Sequence, residues 1–172
     1  MKKIYVFLLI ITTLSTCKST KNASQRNKRN TTKTTRVKTI KTTIPKQAEA
    51  IITEAKRYRG TKYKYGGTTK KGMDCSGLIF TSFGKHGITM PRTTKELSTR
   101  GNWVDIKKIQ EGDLVFFATK KNSRKVNHVG IVTAIKGDDV SFIHSSSSRG
   151  VMISKLLERY WYFAYVQARR YL

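Results

Sequence analysis

The sequence predicts an α+β fold, with helices first and an antiparallel sheet after them, on two observations. Apolar residues recur at helical spacing only in the first half of the folded region, at Ala48, Ile51, Ile52, Ala55 and Tyr58 and again from Cys75 onward. Beyond these, apolar residues fall in short runs rich in β-branched and aromatic types, separated by turn-forming residues. The chain has 172 residues, enough for one ordinary core but not two once a targeting segment and a polar tail are set aside.

Each element follows in order. Pro45 suits a first helical turn, and the helix it opens stops at Gly60. A second helix is predicted from Cys75 to His86, ended by Gly87, with the glycine-containing stretch "YKYGGTTKKG" as a loop between the two. Strands are predicted at Asp113 to Ala118, His128 to Ile135, Val140 to His144 and Tyr162 to Arg169. Lys136-Gly137-Asp138-Asp139 forms the turn of a hairpin between the middle two. With a two-residue turn there, His144 falls opposite Ile131, about 10 Å along the strand from His128. A bulge, a stronger twist or a different turn is needed to bring the two rings together. Trp103, Trp161 and the C-terminal tyrosines read as core residues, and Arg92 as a surface charge.

The formal charge is +25, from 35 Lys and Arg against 10 Asp and Glu, and it points to an anionic partner without naming one. The N-terminus narrows the choice. Met1-Lys2-Lys3 precedes the apolar run Ile4 to Ile11, which is too short to span a bilayer but has the form of a secretory signal. Leu14-Ser15-Thr16-Cys17 resembles the lipobox of bacterial lipoproteins, which makes residues 1–16 a signal peptide and Cys17 an acylated first residue of the mature chain. Residues 17–46 then form a basic tether. From Lys18 to Lys46 there are ten Lys or Arg, no acid and few large apolar residues, a composition that buries too little surface to fold. As a flexible coil its 29 residues span about 30 Å. Such a chain is expected to be exported and held on the bacterial cell envelope, on the periplasmic side. Nucleic acid is not an expected partner there, whereas anionic envelope polymers or lipid headgroups could attract the tether.

The two cysteines either pair in one disulfide or, with Cys17 acylated, leave Cys75 as a free thiol in an oxidising compartment. No second Cys at ligand spacing and no clustered His supports a metal site, and no cofactor is expected. As the opening residue of a helix, Cys75 would meet the partial positive charge of the helix end, which lowers a thiol's pKa. His86 lies about 16 Å away at the other end of that helix and is excluded as its base. His128 and His144 remain, and a thiol with two strand histidines has the form of nucleophile, base and orienting group.

The blocks "YKYGGTTKKGMDCSGLIF", "MPRTT", "EGDLVFF", "NHVGIV" and "FIHSSSS" occur in an order that resembles the NlpC-type family of bacterial cell-wall cysteine peptidases, from about residue 47 to the end. The resemblance implies a compact papain-like fold, N-terminal helices packed on a central antiparallel sheet, for residues 47–172. It implies Cys75 as nucleophile, His128 as general base and His144 as the residue that orients it. Tyr63 would help the Cys75 N–H hold the oxyanion, and Asp74 and Ser76 would contact substrate. Tyr63 reads equally as a loop packer, and Asp74 and Ser76 as helix-capping residues.

The function expected is hydrolysis of an amide bond in the stem peptides or crosslinks of peptidoglycan. The bond lies either beside a diaminopimelate residue in the stem or at the D-Ala to diaminopimelate crosslink. Two alternatives remain open at this point: a non-catalytic module binding membrane to cell wall, and a related acyltransferase or amidase.

Overall fold

The structure, a computed structural model, describes residues 45–172. The expected signal segment, Cys17 and all of the tether before Pro45 lie outside the described residues. No helix among the described residues is long and apolar enough to cross a membrane.

Helix α1 (Lys46–Lys56) opens after Pro45 and buries the predicted stripe Ala48, Ile51, Ile52 and Ala55. The connection that follows was expected to be all loop. It contains a small hairpin of β1 (Thr68–Thr69) and β2 (Gly72–Met73), a pairing too short to leave an alternating pattern. Helix α2 (Cys75–Gly84) begins at the predicted residue and is almost wholly buried on its inner side by Leu78, Ile79 and Phe83. It ends two residues before the expected His86. The chain leaves through Lys85 and reaches Gly87 at φ +76°, a conformation glycine adopts without penalty.

A short helix α3 (Thr94–Thr99) follows, capped by the Thr93 hydroxyl, which accepts from the Glu96 N–H. Then come β3 (Asn102–Val104), a 3₁₀ turn at Ile106–Lys108, β4 (Leu114–Phe117), β5 (His128–Lys136), β6 (Asp139–Ser146), β7 (Gly150–Lys155), α4 (Arg159–Ala164) and β8 (Tyr165–Arg170). The six long strands form one sheet in the order β3-β8-β4-β5-β6-β7, every pair antiparallel. The predicted strand from Tyr162 proves to be the end of α4 followed by β8. Its aromatic residues fit a strand by propensity, yet Trp161 and Ala164, three apart, are the buried face of one helical turn.

Both faces of the sheet are covered. Leu114, Phe116, Val129, Ile131 and Ile143 meet α1 and α2 on one side. Val115, Phe117, Val132, Phe142 and Ala168 meet Trp161, Ala164 and Leu156 on the other. Each such Val, Leu, Ile or Phe side chain, fully buried, stabilises the fold by about 1.5–3 kcal/mol. This is why β4, "LVFF", is buried at all four positions and shows no alternation. Asp113 and Arg170 lock the ends of β4 and β8 together through two hydrogen bonds of 2.7 Å.

The β5–β6 hairpin has the predicted two-residue turn, with Lys136 opposite Asp139. The register then shifts: Ala134 pairs with Ser141, but Val132 pairs with Phe142, leaving Thr133 as an extra residue on β5. Ile131 therefore faces Ile143, not His144. The bulge carries His144 one residue toward His128 and places it level with Gly130.

Gly130 makes the close approach possible. A β-carbon there would lie 2.7 Å from a ring carbon of Phe142, 2.9 Å from the Ile143 carbonyl oxygen and 3.3 Å from the His144 β-carbon. Gly130→Ala should cost about 1–3 kcal/mol through overpacking and push His144 off its position. Urea unfolding would report the first effect; an unchanged midpoint would refute the contact.

Candidate active site

The site gathers where the first turn of α2 meets the start of β5. Asp74 is the N-cap of α2: its Oδ1 accepts the Gly77 N–H at 2.6 Å while its Oδ2 accepts the Gly66 N–H at 2.7 Å. Arg92 closes the arrangement, donating to Asp74 at 3.0 and 2.9 Å and to the Ser76 hydroxyl at 2.8 Å. The residue expected to be a surface charge is thus half-buried in an ion pair. Asp74 and Ser76 are themselves buried and held inside this network. Gly67 and Gly77 allow the approach of loop to helix, because a β-carbon on Gly77 would run into the Gly67 carbonyl.

Cys75 is the first residue of α2, buried and in the free thiol form. Its sulfur lies 3.5 Å from the Thr94 hydroxyl. The backbone N–H of Val129, the residue after His128, is near enough to favour the thiolate. Burial pushes the thiol's pKa up and the Asp74 carboxylate adds to this, while the Thr94 hydroxyl and the N–H groups of Val129 and Ser76 pull the other way. The net direction is upward, contrary to the expectation from the helix end. The macrodipole acts, but an N-cap carboxylate at the same end offsets it and desolvation outweighs it.

His128 begins β5, and its Nε2 lies 3.0 Å from Nδ1 of His144 on β6. The other nitrogen of His144 lies 3.2 Å from the Ser154 hydroxyl on β7. One consistent set of tautomers has His128 Nε2–H donating to His144 and His144 Nε2–H donating to Ser154. In that set Nδ1 of His128 is left unprotonated, the form a general base requires.

Trp161 lies against both rings, stacked on His128 at 5.4 Å and edge-on to His144 at 4.7 Å. Burial lowers the pKa of His128 to about 4. Burial, then the neighbouring charges of His128 and Arg149, lowers that of His144 to about 3. At neutral pH the site therefore rests as neutral thiol and neutral imidazoles.

Tyr63 is half-buried. Burial raises its pKa first, and the proximity of Cys75 and Asp74 raises it further, so its hydroxyl stays protonated and able to donate. A backbone bridge pairs Tyr63 with Met73 beside the cysteine. His86 is exposed and follows the C-terminal end of α2, the end opposite Cys75. Among the described residues, no group of three His, Cys, Asp or Glu could hold a metal ion.

Four contributors were not foreseen from the sequence. Thr94 and Arg92 lie inside the block "MPRTT", and Ser154 is on a strand that was not predicted. Trp161 was expected only as core.

A pH dependence follows. Activity that needs an unprotonated His128 should fall on the acid side with an apparent pKa near 4, well below the ordinary histidine value near 6.5. Stability follows the same groups. Their folded pKa values lie below the unfolded value, so their contribution is complete above about pH 6.5 and is lost as pH falls through about 4 for His128 and about 3 for His144. A kcat/KM profile with its acid limb near pH 6.5 would contradict this environment.

Comparison with known proteins agrees with the architecture. Residues 60–170 match the NlpC/P60 family. A probable endopeptidase NlpC homolog of Haemophilus influenzae is 40% identical over 123 residues, covering 71% of this chain and 62% of that protein. A murein DD-endopeptidase MepS/murein LD-carboxypeptidase of Escherichia coli K12 is 38% identical over 123 residues, with the same coverage of both. The crystal structure of an NlpC/P60 family protein from Bacillus cereus superposes with a TM-score of 0.66 at 36% identity, covering 73% of this chain and 40% of that one. The chain spans about 62% of the length of these two curated relatives. It belongs to the NlpC/P60 family, and residues 45–172 have that family's papain-like fold.

Proposed function

We propose that the chain is an exported cysteine peptidase that hydrolyses an amide bond in the stem peptides or crosslinks of peptidoglycan. One observation carries this reading: Cys75 heads a helix that packs on β5, the strand that opens with His128, whose imidazole is bonded to a second imidazole and through it to a hydroxyl. Relatives named as a murein DD-endopeptidase and as a bifunctional muramidase/DL-endopeptidase support the substrate class.

The family resemblance and the arrangement of Cys75, His128 and His144 support the following roles. His128 takes the thiol proton on Nδ1 as the sulfur attacks the scissile carbonyl, and the tetrahedral oxyanion meets the backbone N–H of Cys75, which has no partner in the helix ladder. The Tyr63 hydroxyl is the second donor to that oxygen. Collapse breaks the C–N bond, and His128 returns the proton to the leaving amine. Water then attacks the thioester, with His128 again as base, releasing the acid and the free thiol.

His144 and Ser154 hold the ring that moves the proton, and Thr94 holds the thiol at rest. In this reading Asp74 and Ser76 present the same polar corner to the substrate that caps the helix. Anchoring through an acylated Cys17 and the basic tether would keep the domain at the envelope membrane, within reach of the wall.

Isolated peptidoglycan digested with the purified protein should release soluble fragments whose masses identify the bond. The absence of any new fragment would defeat the hydrolase reading. The mass of the N-terminal peptide of the mature protein tests acylation separately.

A further inference from the structure

Helix α4 is covered on one side only. Its inner residues Trp161 and Ala164 are buried, whereas Tyr160, Tyr162 and Phe163 are 57%, 61% and 68% exposed, and Leu157 just before it is 55% exposed. Of these, Leu157, Tyr162 and Phe163 border, together with Ile106, a groove of about 650 Å³ beside the β5–β6 turn, whereas Tyr160 lines a different one. Phe163 is shared with a second groove of about 560 Å³ on the other flank of the helix.

The rim of this face is cationic. Lys107 and Arg124 line the first groove, and Lys120, Lys121 and Arg159 the second. Asp138 is the carboxylate that lines either of them, while the neighbouring Glu158 accepts the Lys155 N–H at 2.7 Å. Arg124 donates to the carbonyls of Phe163 and Tyr165 at 3.4 and 3.2 Å, which fastens the basic loop along the end of α4. Apolar and cationic groups are thereby held as one surface.

We propose that this face docks the domain onto an anionic phospholipid surface. Aliphatic and phenyl groups enter the headgroup–acyl boundary, tyrosines sit at headgroup level, and Lys and Arg pair with lipid phosphates. Other occupants fit less well. A second copy brings like charge, since residues 45–172 hold 24 Lys and Arg against 10 Asp and Glu. The chain's own segment from Lys18 to Lys46, with ten cations and no acid, is repelled for the same reason. An anionic polymer would engage the lysines but leave Leu157, Phe163 and Ile106 in water.

The inference rests on the anchored reading only for bringing the domain near a membrane. About 30 Å of tether would keep the local lipid concentration high enough for a weak face to engage.

The test uses the chain from Lys18 to Leu172, which lacks Cys17, so that a failure of acylation does not affect the result. Sedimentation with vesicles of phosphatidylglycerol and phosphatidylcholine should show salt-sensitive binding. Leu157→Ser/Tyr162→Ser/Phe163→Ser should weaken it about tenfold or more while hydrolysis of soluble muropeptides is unchanged. Lys120→Glu/Lys121→Glu, on an exposed loop, should weaken binding comparably and lower its salt dependence.

In a Cys75→Ala background, an environment-sensitive dye on Tyr162→Cys should shift to the blue with anionic vesicles and not with neutral ones. Wild-type binding by the triple variant would overturn the proposal, leaving the tether as the sole contact. An unshifted dye would overturn it as well. So would loss of binding to peptidoglycan sacculi, rather than to vesicles, on changing the face.

Discussion

Cys75→Ala is expected to lower kcat/KM on peptidoglycan fragments by about 10⁴-fold or more. In the proposed mechanism the loss of the thiol removes the covalent route altogether, and the oxyanion donors that remain supply only a small residue of catalysis. The fold should survive, because deleting one buried sulfur beside Thr94 leaves a small void worth about 1 kcal/mol.

The histidines should then grade by position. His128→Ala should approach the cysteine variant, since His128 is the base in the proposed mechanism. His144→Gln keeps a polar group beside His128 Nε2 and should lose less, about 10–100-fold, through poorer control of the ring and its tautomer. Mass-spectrometric product counts at fixed time points would measure all three. Full activity in the Cys75→Ala protein would remove Cys75 as nucleophile, and sacculus binding without cleavage by the wild type would favour a binding module.

The largest effect on stability is expected from Arg92→Met. Asp74 is buried and Arg92 is its charge partner, so removing the guanidinium leaves a carboxylate supported only by two backbone N–H groups and the Ser76 hydroxyl. Breaking a buried pair in this way costs about 3–5 kcal/mol, and solvent access to the Arg92 side chain brings the expected loss to about 2–3 kcal/mol.

The pH dependence distinguishes this from a simple packing defect. Burial alone would raise the pKa of Asp74, but hydrogen bonds from Arg92, Gly77 and Gly66 hold it below the ordinary value. A depressed carboxylate pKa contributes stability above the unfolded value near 3.9 and loses it as pH falls through the folded value. The deficit of the Arg92→Met variant should therefore be largest at neutral pH and shrink toward pH 3. Asp74→Asn added to Arg92→Met should recover part of it, because asparagine still caps the helix without a charge. Urea denaturation of the four proteins at two pH values completes the cycle, and a deficit of equal size at both would refute the buried-charge account.

Local patterns carried much of this fold. Helix α1 was legible because one stripe of small and branched residues faces the core, and the start of α2 because capping residues surround Cys75. The ends were less so: Lys85 and His86 have no sequence mark that separates a last helical turn from a following one. Helix α4 and β8 were merged because Tyr162, Phe163 and Tyr165 favour strands, and only tertiary packing of Trp161 turns the first two into a helix.

Strand β7 was missed since "VMISK" is short and half-buried. At the site, residue types pointed to Cys75, His128 and His144, but their spacing argued against contact between the rings. The bulge at Thr133 resolves that conflict, and no residue in the hairpin announces it. Arg92 and Thr94 were hidden for a related reason. They come from a segment remote from Cys75 in sequence, and nothing local indicates that it folds back over the first turn of α2.

The position of Trp161 gives the molecule an optical property. Of its two tryptophans, Trp103 is exposed while Trp161 is buried against both imidazoles. Iodide in solution would extinguish the emission of the first and spare that of the second. A protonated imidazole quenches an adjacent indole, so the residual emission would dim as the histidine pair takes up a proton. The domain thus carries its own fluorescent gauge of the charge on its histidines, readable without a substrate and without a label.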